Sequence, residues 1–283
     1  MGLFDFFRRG NKNGADDGPP LDRKLAGLVK TATDKRAQAY DREEAIRGLY
    51  AVGTPQAAQF LLKRFTFKID PSITDQEEKN LAFDGIVRVG TGQAGVRADG
   101  SPHKSPQGEP LPLEPEEVAE LRDAVVEAIR SFCARAESLN WPLRLLRELL
   151  DDDAYELELL SLLEQHDTEY IRNIDPKIDL ITALEGLVSP NVREAVEGYL
   201  DDVNETIRFH AVEATFQQGD PSSIPALIDM MAQEESVRIK NKVAEGLIRL
   251  GWTVPEQLRP KFVEALQDVY EYRMSPDGKV SKA

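Results

Sequence analysis

The sequence has little of the chemistry that usually marks a catalytic or metal-binding protein. Its 283 residues include one cysteine, Cys133, and three histidines, His103, His166 and His210. A single cysteine excludes an internal disulfide and fits a reducing cytoplasm, which is the location we expect. The cysteine and the histidines form neither a C-x-x-C motif nor an i, i+4 pair. The sequence therefore predicts no catalytic residue, no metal site and no cofactor.

Long apolar runs and basic stretches are also missing. No run of 18 apolar residues is present, so the sequence predicts no membrane-spanning helix. The chain has 35 basic and 50 acidic residues, which gives a net charge of −15. A surface with this charge repels phosphate backbones, so we expect no nucleic-acid partner.

An internal repeat is the strongest pattern that the sequence does contain. Four segments of thirteen residues align without gaps: DREEAIRGLYAVG (41–53), EKNLAFDGIVRVG (78–90), IRFHAVEATFQQG (207–219) and IKNKVAEGLIRLG (239–251). Each has a helical period and ends in a glycine that we expect to cap the helix in the left-handed conformation: Gly53, Gly90, Gly219 and Gly251. After three of them a proline marks the start of a second helix: Pro55, Pro221 and Pro255.

Two positions of the repeat have an evident structural role. On a helical wheel, Ile207 and Ala211 lie on one side and Val212 and Phe216 on the other, which predicts a first helix buried on two sides. The eighth position is small in all four copies, so neighbouring backbones can approach there. The second position is always basic: Arg42, Lys79, Arg208 and Lys240. We expect this residue to lie between the two apolar faces and to pair with an acid, with Asp201, Asp202 and Glu205 near Arg208.

These segments resemble the HEAT repeat, in the short bacterial form found in PBS-lyase-type proteins. The resemblance covers residues 40–68, 75–90 and about 176–270, and it implies an all-α fold, an α-solenoid of helix–turn–helix units. We expect this solenoid to occupy residues 21–273, with a mobile insertion loop at 91–114 and a disordered tail at 274–283. Further helices are predicted near these ranges: 22–32, 115–138, 142–150, 154–165, 176–188, 190–201 and 254–272.

His210 is the one histidine inside a repeat, between Arg208 and Glu213. Its position holds Glu44, Leu81 and Lys242 in the other copies, so the repeat does not require a histidine there. HEAT-type hydroxylases bind iron through His-Glu dipeptides, and this chain has none. These observations favour a non-enzymatic protein. A lyase or hydrolase that uses His210 is the alternative.

The N-terminal residues 1–20 are predicted to be flexible, with a short amphipathic stretch at 2–9. Its apolar side chains fall on one side of a helix and its arginines on the other: Leu3, Phe4, Phe6 and Phe7 against Arg8 and Arg9. Aromatic residues opposite arginines suit a membrane interface, and the stretch resembles membrane-targeting ends of bacterial peripheral proteins. Membrane contact, docking on a protein and simple fraying are the alternatives.

Together these patterns predict a HEAT-like scaffold or adaptor that binds another protein. The groove between its second helices is the expected contact surface, and the acidic charge favours a partner with a basic segment. A peripheral membrane adaptor, anchored by residues 3–9, is the alternative.

Overall fold

The computed structural model describes residues 23–283, and it is all-α apart from a short hairpin at the end of the chain. The helices are α1 (Arg23–Ala32), α2 (Ala39–Val52), α3 (Pro55–Leu62), α4 (Ser72–Gly90), α5 (Pro115–Cys133), α6 (Asn140–Leu149), α7 (Asp152–Leu163), α8 (Asp175–Leu184), α9 (Pro190–Glu197), α10 (Glu205–Gln218), α11 (Ile224–Gln233), α12 (Val237–Leu250) and α13 (Arg259–Ala265). The strands are β1 (Tyr272–Met274) and β2 (Val280–Lys282). The chain divides into two compact units, of which one ends at Phe132 and the other comprises Cys133–Ala283.

The first unit contains the helical hairpin α2–α3, packed against α1 and α4. Gly53 ends α2 with φ 65°, a left-handed conformation that glycine adopts without a Cβ penalty. Thr54 then caps α3 by accepting a hydrogen bond from the Ala57 N–H, and Pro55 occupies the first turn. The apolar side chains of these helices meet in a fully buried core that includes Ile46, Leu49 and Ile86. The predicted turn chemistry is therefore present here.

The expected cap at Gly90 is wrong. Gly90 is buried and is the last residue of α4, and the left-handed glycine comes two residues later, at Gly92 with φ 73°. The backbone N–H groups of Thr91 and Gly92 still donate to carbonyls of α4, so the left-handed glycine lies two residues after the position that the alignment predicts.

The insertion at residues 91–114 is a loop, and its course is set by hydrogen bonds. Isolated β-bridges join Val96 to Pro102 and Lys104 to Pro110. Arg97 ties the loop to α5 through an ion pair with Glu117 at 2.6 Å. We expected a mobile segment from its Gly and Pro content, whereas the structure shows turns held by these contacts.

The second unit is a stack of helical hairpins. α10 packs against α8 on one side and α12 on the other, and the second helices α11 and α13 pack together. The wheel analysis of α10 agrees with its burial, since Ile207, Ala211, Val212 and Phe216 are all at most 2% exposed. Gly219 and Gly251 cap α10 and α12 in the left-handed conformation. Both predicted apolar faces are thus buried, as stacking of neighbouring hairpins requires.

The C-terminal end differs from both expectations for it. The helix predicted at 254–272 is reduced to a 3-10 turn and α13, and residues 274–283 are ordered rather than disordered. β1 and β2 pair in antiparallel register, and the Val254 N–H donates to the Gly278 carbonyl. Tyr272 and Val280 are buried where the hairpin packs, and β2 contacts α12. This apolar burial gives the polar tail a fixed place that its composition does not reveal.

Candidate functional site

The repeated basic residues form ion pairs that join successive hairpins. Arg42 binds Glu78 at 2.8 Å, Arg208 binds Glu234 at 2.7 Å, and Lys240 binds Asp268 at 2.8 Å. In each pair the acid comes from the next hairpin or from the turn that follows. Lys79 is different, because it pairs with Asp75 inside α4 itself. The acids expected beside Arg208 do not supply its carboxylate, since its hydrogen bond to Asp202 goes to the backbone carbonyl of that residue and not to the side chain.

The structure adds a member to this series that the alignment missed. Lys177 of α8 binds Asp202 at 2.7 Å, and both side chains are buried. In the repeat register Lys177 takes the basic position and Ala183 the small position. The thirteenth position, however, is Val188 where the four aligned segments have glycine. A search for the basic and small positions without the terminal glycine would have found this copy.

In the first unit the ion pairs form a buried network. The Glu78 carboxylate accepts hydrogen bonds from both Arg42 and Arg64, and all three side chains are at most 4% exposed. Arg64 also donates to Asp75 at 2.7 Å. Burial would raise the pKa of Asp75, but hydrogen bonds from Lys79 and Arg64 outweigh it and hold that pKa below its usual value. Such a network is structural, since every charge in it has a partner.

The turns between hairpins in the second unit lie side by side, because hydrogen bonds and ion pairs join each turn to the next. Val203 N donates to Thr168 O at 3.0 Å and Ser236 Oγ donates to Glu205 Oε1 at 2.7 Å, while Lys240 Nζ, on α12 three residues after the turn at 234–237, binds Asp268 Oδ1 at 2.8 Å. We call this row of turns the acidic edge and define it as residues 167–171, 201–205, 234–237 and 268–271.

Two kinds of exposed side chain recur along the acidic edge. Six exposed carboxylates have no basic ion-pair partner within residues 23–283: Asp167, Glu169, Asp201, Glu205, Glu235 and Glu271. Each turn also exposes a large apolar side chain: Tyr170 (79% exposed), Val203 (54%), Val237 (44%) and Tyr270 (85%). Each turn of the acidic edge therefore presents an exposed apolar side chain together with at least one unpaired carboxylate.

The second helices, where sequence reasoning placed the contact surface, carry charges that are largely paired. Arg193 of α9 binds Glu197 at 2.9 Å, and Lys261 of α13 binds Asp229 of α11 at 2.6 Å. Exposed ion pairs of this kind leave little net charge to attract a partner. Within the described residues, the second helices α9, α11 and α13 therefore hold fewer unpaired carboxylates than the acidic edge does.

His210 lies on α10, on the exposed side of the first helices. Its Nδ1 is 3.9 Å from Glu213 Oε2. The His210 and Phe209 rings are perpendicular to each other, with their centroids 5.8 Å apart. Glu185, which follows α8, brings a second carboxylate to within 4.8 Å of both groups. Arg208 belongs to the ion-pair series and is not part of this cluster. The neighbour that sequence reasoning missed is Glu185, which is distant in the chain and leaves no local signal.

A surface pocket of about 380 Å³ in the first unit is lined by basic residues. Lys35, Arg36 and Lys68 are exposed there and make no ion pair within the described residues. Arg42 also lines the pocket, but its guanidinium is already bound by Glu78. The acidic surface character is therefore a property of the second unit and not of this region.

The predicted contact residues of the N-terminal stretch, Leu3, Phe4, Phe6, Phe7, Arg8 and Arg9, lie outside the described residues. Membrane contact or docking by this stretch therefore stays a prediction. Within the described part of the chain, no helix has both the length and the apolar character needed to cross a membrane.

Comparison with known proteins gives one family match. Residues 41–66, which cover α2 from its third residue, α3 and the 3-10 turn after it, match the family model of the PBS lyase HEAT-like repeat. No curated protein matches the chain. One solved structure, described as "Computational Design of Self-Assembling Cyclic Protein Homooligomers", is 12% identical and covers 87% of this chain and 88% of its own. Its TM-score of 0.17 is too low to carry an argument.

Proposed function

We propose that this chain, a HEAT-like repeat protein, is a non-enzymatic scaffold whose acidic edge binds a basic segment of a partner protein. The observation that carries the proposal is the row of four turns, each with one or two unpaired carboxylates beside an exposed apolar side chain. HEAT-like repeats supply extended surfaces for such contacts.

The ion pairs beneath the acidic edge support this role by fixing the turns. Lys177, Arg208 and Lys240 each hold a carboxylate that comes from a turn or its border, and Arg208 also donates to the Val203 carbonyl at 3.2 Å. A surface that is already ordered loses less conformational entropy when a partner binds. These ion pairs therefore hold the exposed acids of the acidic edge at a fixed spacing.

The negative charge of the chain favours a positively charged partner. With a net charge of −15, the chain attracts cations at long range, and the six unpaired carboxylates of the acidic edge concentrate that attraction. The same charge opposes nucleic acid, whose phosphates would lie against these carboxylates.

The spacing of the turns indicates the form of the partner. Packed helices lie about 10 Å apart, so successive turns are separated by about that distance. A peptide in the polyproline II conformation advances about 3.1 Å per residue and has three residues per turn, so every third side chain points the same way about 9 Å further on. A segment bound in this conformation would place every third residue at a new turn, where an acid can pair with a cation and the exposed apolar side chain can contact an apolar group.

The single cysteine is not available as a catalytic nucleophile. Burial raises the pKa of the Cys133 thiol to about 12, with a smaller contribution from the charge of Glu158. At physiological pH this side chain is a protonated thiol within the core and does not supply a thiolate nucleophile.

A labelled peptide of four Lys-Leu-Ser triplets tests the proposal by fluorescence anisotropy at low salt. We expect binding to full-length protein and about tenfold weaker binding to the edge variant Glu169→Gln, Asp201→Asn, Glu235→Gln and Glu271→Gln, since each exposed charge pair contributes about 0.2–1 kcal/mol. The control removes four exposed acids of the same unit away from the acidic edge: Glu148→Gln, Asp153→Asn, Glu256→Gln and Glu264→Gln. Equal weakening by both variants would contradict the proposal, because it would show attraction to net charge alone.

A further inference from the structure

The cluster around His210 joins two neighbouring hairpins of the second unit. Glu185 follows α8, and His210 and Glu213 are one turn apart on α10. One ligand atom from each side chain lies within 4.8 Å of the other two, and all three residues are half-buried. Their convergence depends on the packing of α8 against α10, so it is a property of the stack and not of one helix.

The two carboxylates of this cluster are incompletely neutralised. Lys242 Nζ binds Glu213 Oε1 at 2.5 Å, which leaves Oε2 facing His210. Glu185 has no ion pair within residues 23–283, and with a neutral imidazole the four groups carry one net negative charge.

We propose that Glu185, His210 and Glu213 bind a divalent transition-metal ion, with Zn²⁺ as the representative. One imidazole and two carboxylates are the donor types that suit this class of ion. Ca²⁺ and Mg²⁺ need six or more ligands, mostly oxygen, and fit a site with one nitrogen donor less well. Three protein ligands leave the remaining position to water on the exposed side.

The one ligand–ligand distance fixed for this cluster can be compared with the spacing that such an ion requires, and the other two are below 4.8 Å. Metal–nitrogen and metal–oxygen bonds of about 2.0–2.2 Å place tetrahedral ligand atoms about 3.4 Å apart. His210 Nδ1 and Glu213 Oε2 are 3.9 Å apart, so a small side-chain rotation would bring them to that spacing. Binding would then link α8 to α10 directly, across the interface that ion pairs already span at the acidic edge.

Lys242 gives the proposal a distinctive test, because its ammonium competes with a metal ion for Glu213. Removing that ammonium by Lys242→Gln should tighten metal binding. Lys261→Gln is the matched control, since Lys261 also forms a lysine–carboxylate pair, at 2.6 Å with Asp229, but far from any histidine in sequence. The control should leave metal binding unchanged.

The experiment is a titration of full-length protein with Zn²⁺ by calorimetry, together with the visible absorption of bound Co²⁺. We expect one ion per chain, at least tenfold weaker binding in His210→Ala and in Glu185→Gln, and unchanged binding in the control His103→Ala. Circular dichroism verifies that each variant is folded, and the two ligand variants provide independent readings. Wild-type affinity in both ligand variants, or Mg²⁺ competing as strongly as Zn²⁺, would overturn the proposal.

Discussion

At the scale of single residues, the repeat depends on charged side chains that are buried with partners. Glu78 shows this most clearly, because Arg42 and Arg64 both converge on one carboxylate that is 2% exposed. Removal of one member of a buried pair leaves an uncompensated charge in a medium of low dielectric constant. These residues are therefore sensitive positions even though they are polar.

We predict that Glu78→Ala lowers the free energy of unfolding by about 3 kcal/mol, since it leaves two buried guanidinium groups without their shared acceptor. Urea denaturation measures the effect. Glu43→Ala is the control, because Glu43 also pairs with an arginine, Arg47, but on an exposed helix surface. That control should cost less than about 0.5 kcal/mol, and equal losses would show that burial does not set the difference.

Glu234 predicts a pH dependence of stability. Its burial would raise the pKa, but hydrogen bonds from Arg208 and from the Ser236 N–H outweigh burial and lower the pKa of Glu234 in the folded protein. A lowered folded pKa gives stability that is complete above the unfolded value of about 4.3 and is lost as the pH falls through the folded pKa. Denaturation at a series of pH values should therefore show a steeper acid loss in wild type than in Glu234→Gln.

The exposed neighbour Glu235 provides the control for that series. It has no ion pair within the described residues, so Glu235→Gln should retain the acid loss of the wild type. An identical pH profile for wild type and Glu234→Gln would contradict the assignment of this loss to the Arg208 pair.

At the scale of helices, the small eighth position of the repeat sets how closely hairpins stack. A Cβ added to Gly246 of α12 would overlap the Phe216 ring of α10, which is itself 2% exposed. Overpacking a buried contact costs about 1–3 kcal/mol, because the ring cannot move freely in a dense core. The glycine is thus required by packing and not by backbone conformation.

We predict that Gly246→Ala destabilises the protein by about 1–3 kcal/mol in thermal or urea unfolding. Gly198→Ala is the comparison, since an added Cβ there has no atom within 4 Å and the helical backbone favours alanine. It should be neutral or slightly stabilising. An equally small effect of Gly246→Ala would contradict the close approach of α10 and α12 at this position.

Sequence alone predicts the elements whose signals are local. The thirteen-residue alignment locates α2, α4, α10 and α12, and Thr54-Pro55 marks the start of α3. The same alignment passes over α8, because Val188 replaces the terminal glycine although Lys177 and Ala183 keep the pattern. The order of the C-terminal hairpin depends on packing against α12, so its polar composition gave the wrong expectation.

At the scale of the whole molecule, the candidate sites arise from stacking and are absent from any single repeat. The exposed acids of the acidic edge are ordinary turn residues in the sequence, and they become one surface only when ion pairs align the turns. In the same way, Glu185 joins His210 only through the packing of α8 on α10. The basic partner expected from the sequence stays a prediction, and the second helices, where sequence reasoning places the contact, have charges that are largely paired.

The most direct test of the scaffold proposal is a charge reversal on the acidic edge. Wild-type protein should bind the peptide of four Lys-Leu-Ser triplets and not its Glu-Leu-Ser counterpart. The variant Glu169→Lys, Asp201→Lys, Glu235→Lys and Glu271→Lys should reverse that preference in anisotropy titrations, because the turns keep their spacing while the sign of their charge changes. The control variant Glu148→Lys, Asp153→Lys, Glu256→Lys and Glu264→Lys should keep the preference for the basic peptide. A reversal by both sets, or by neither, would contradict binding at the acidic edge.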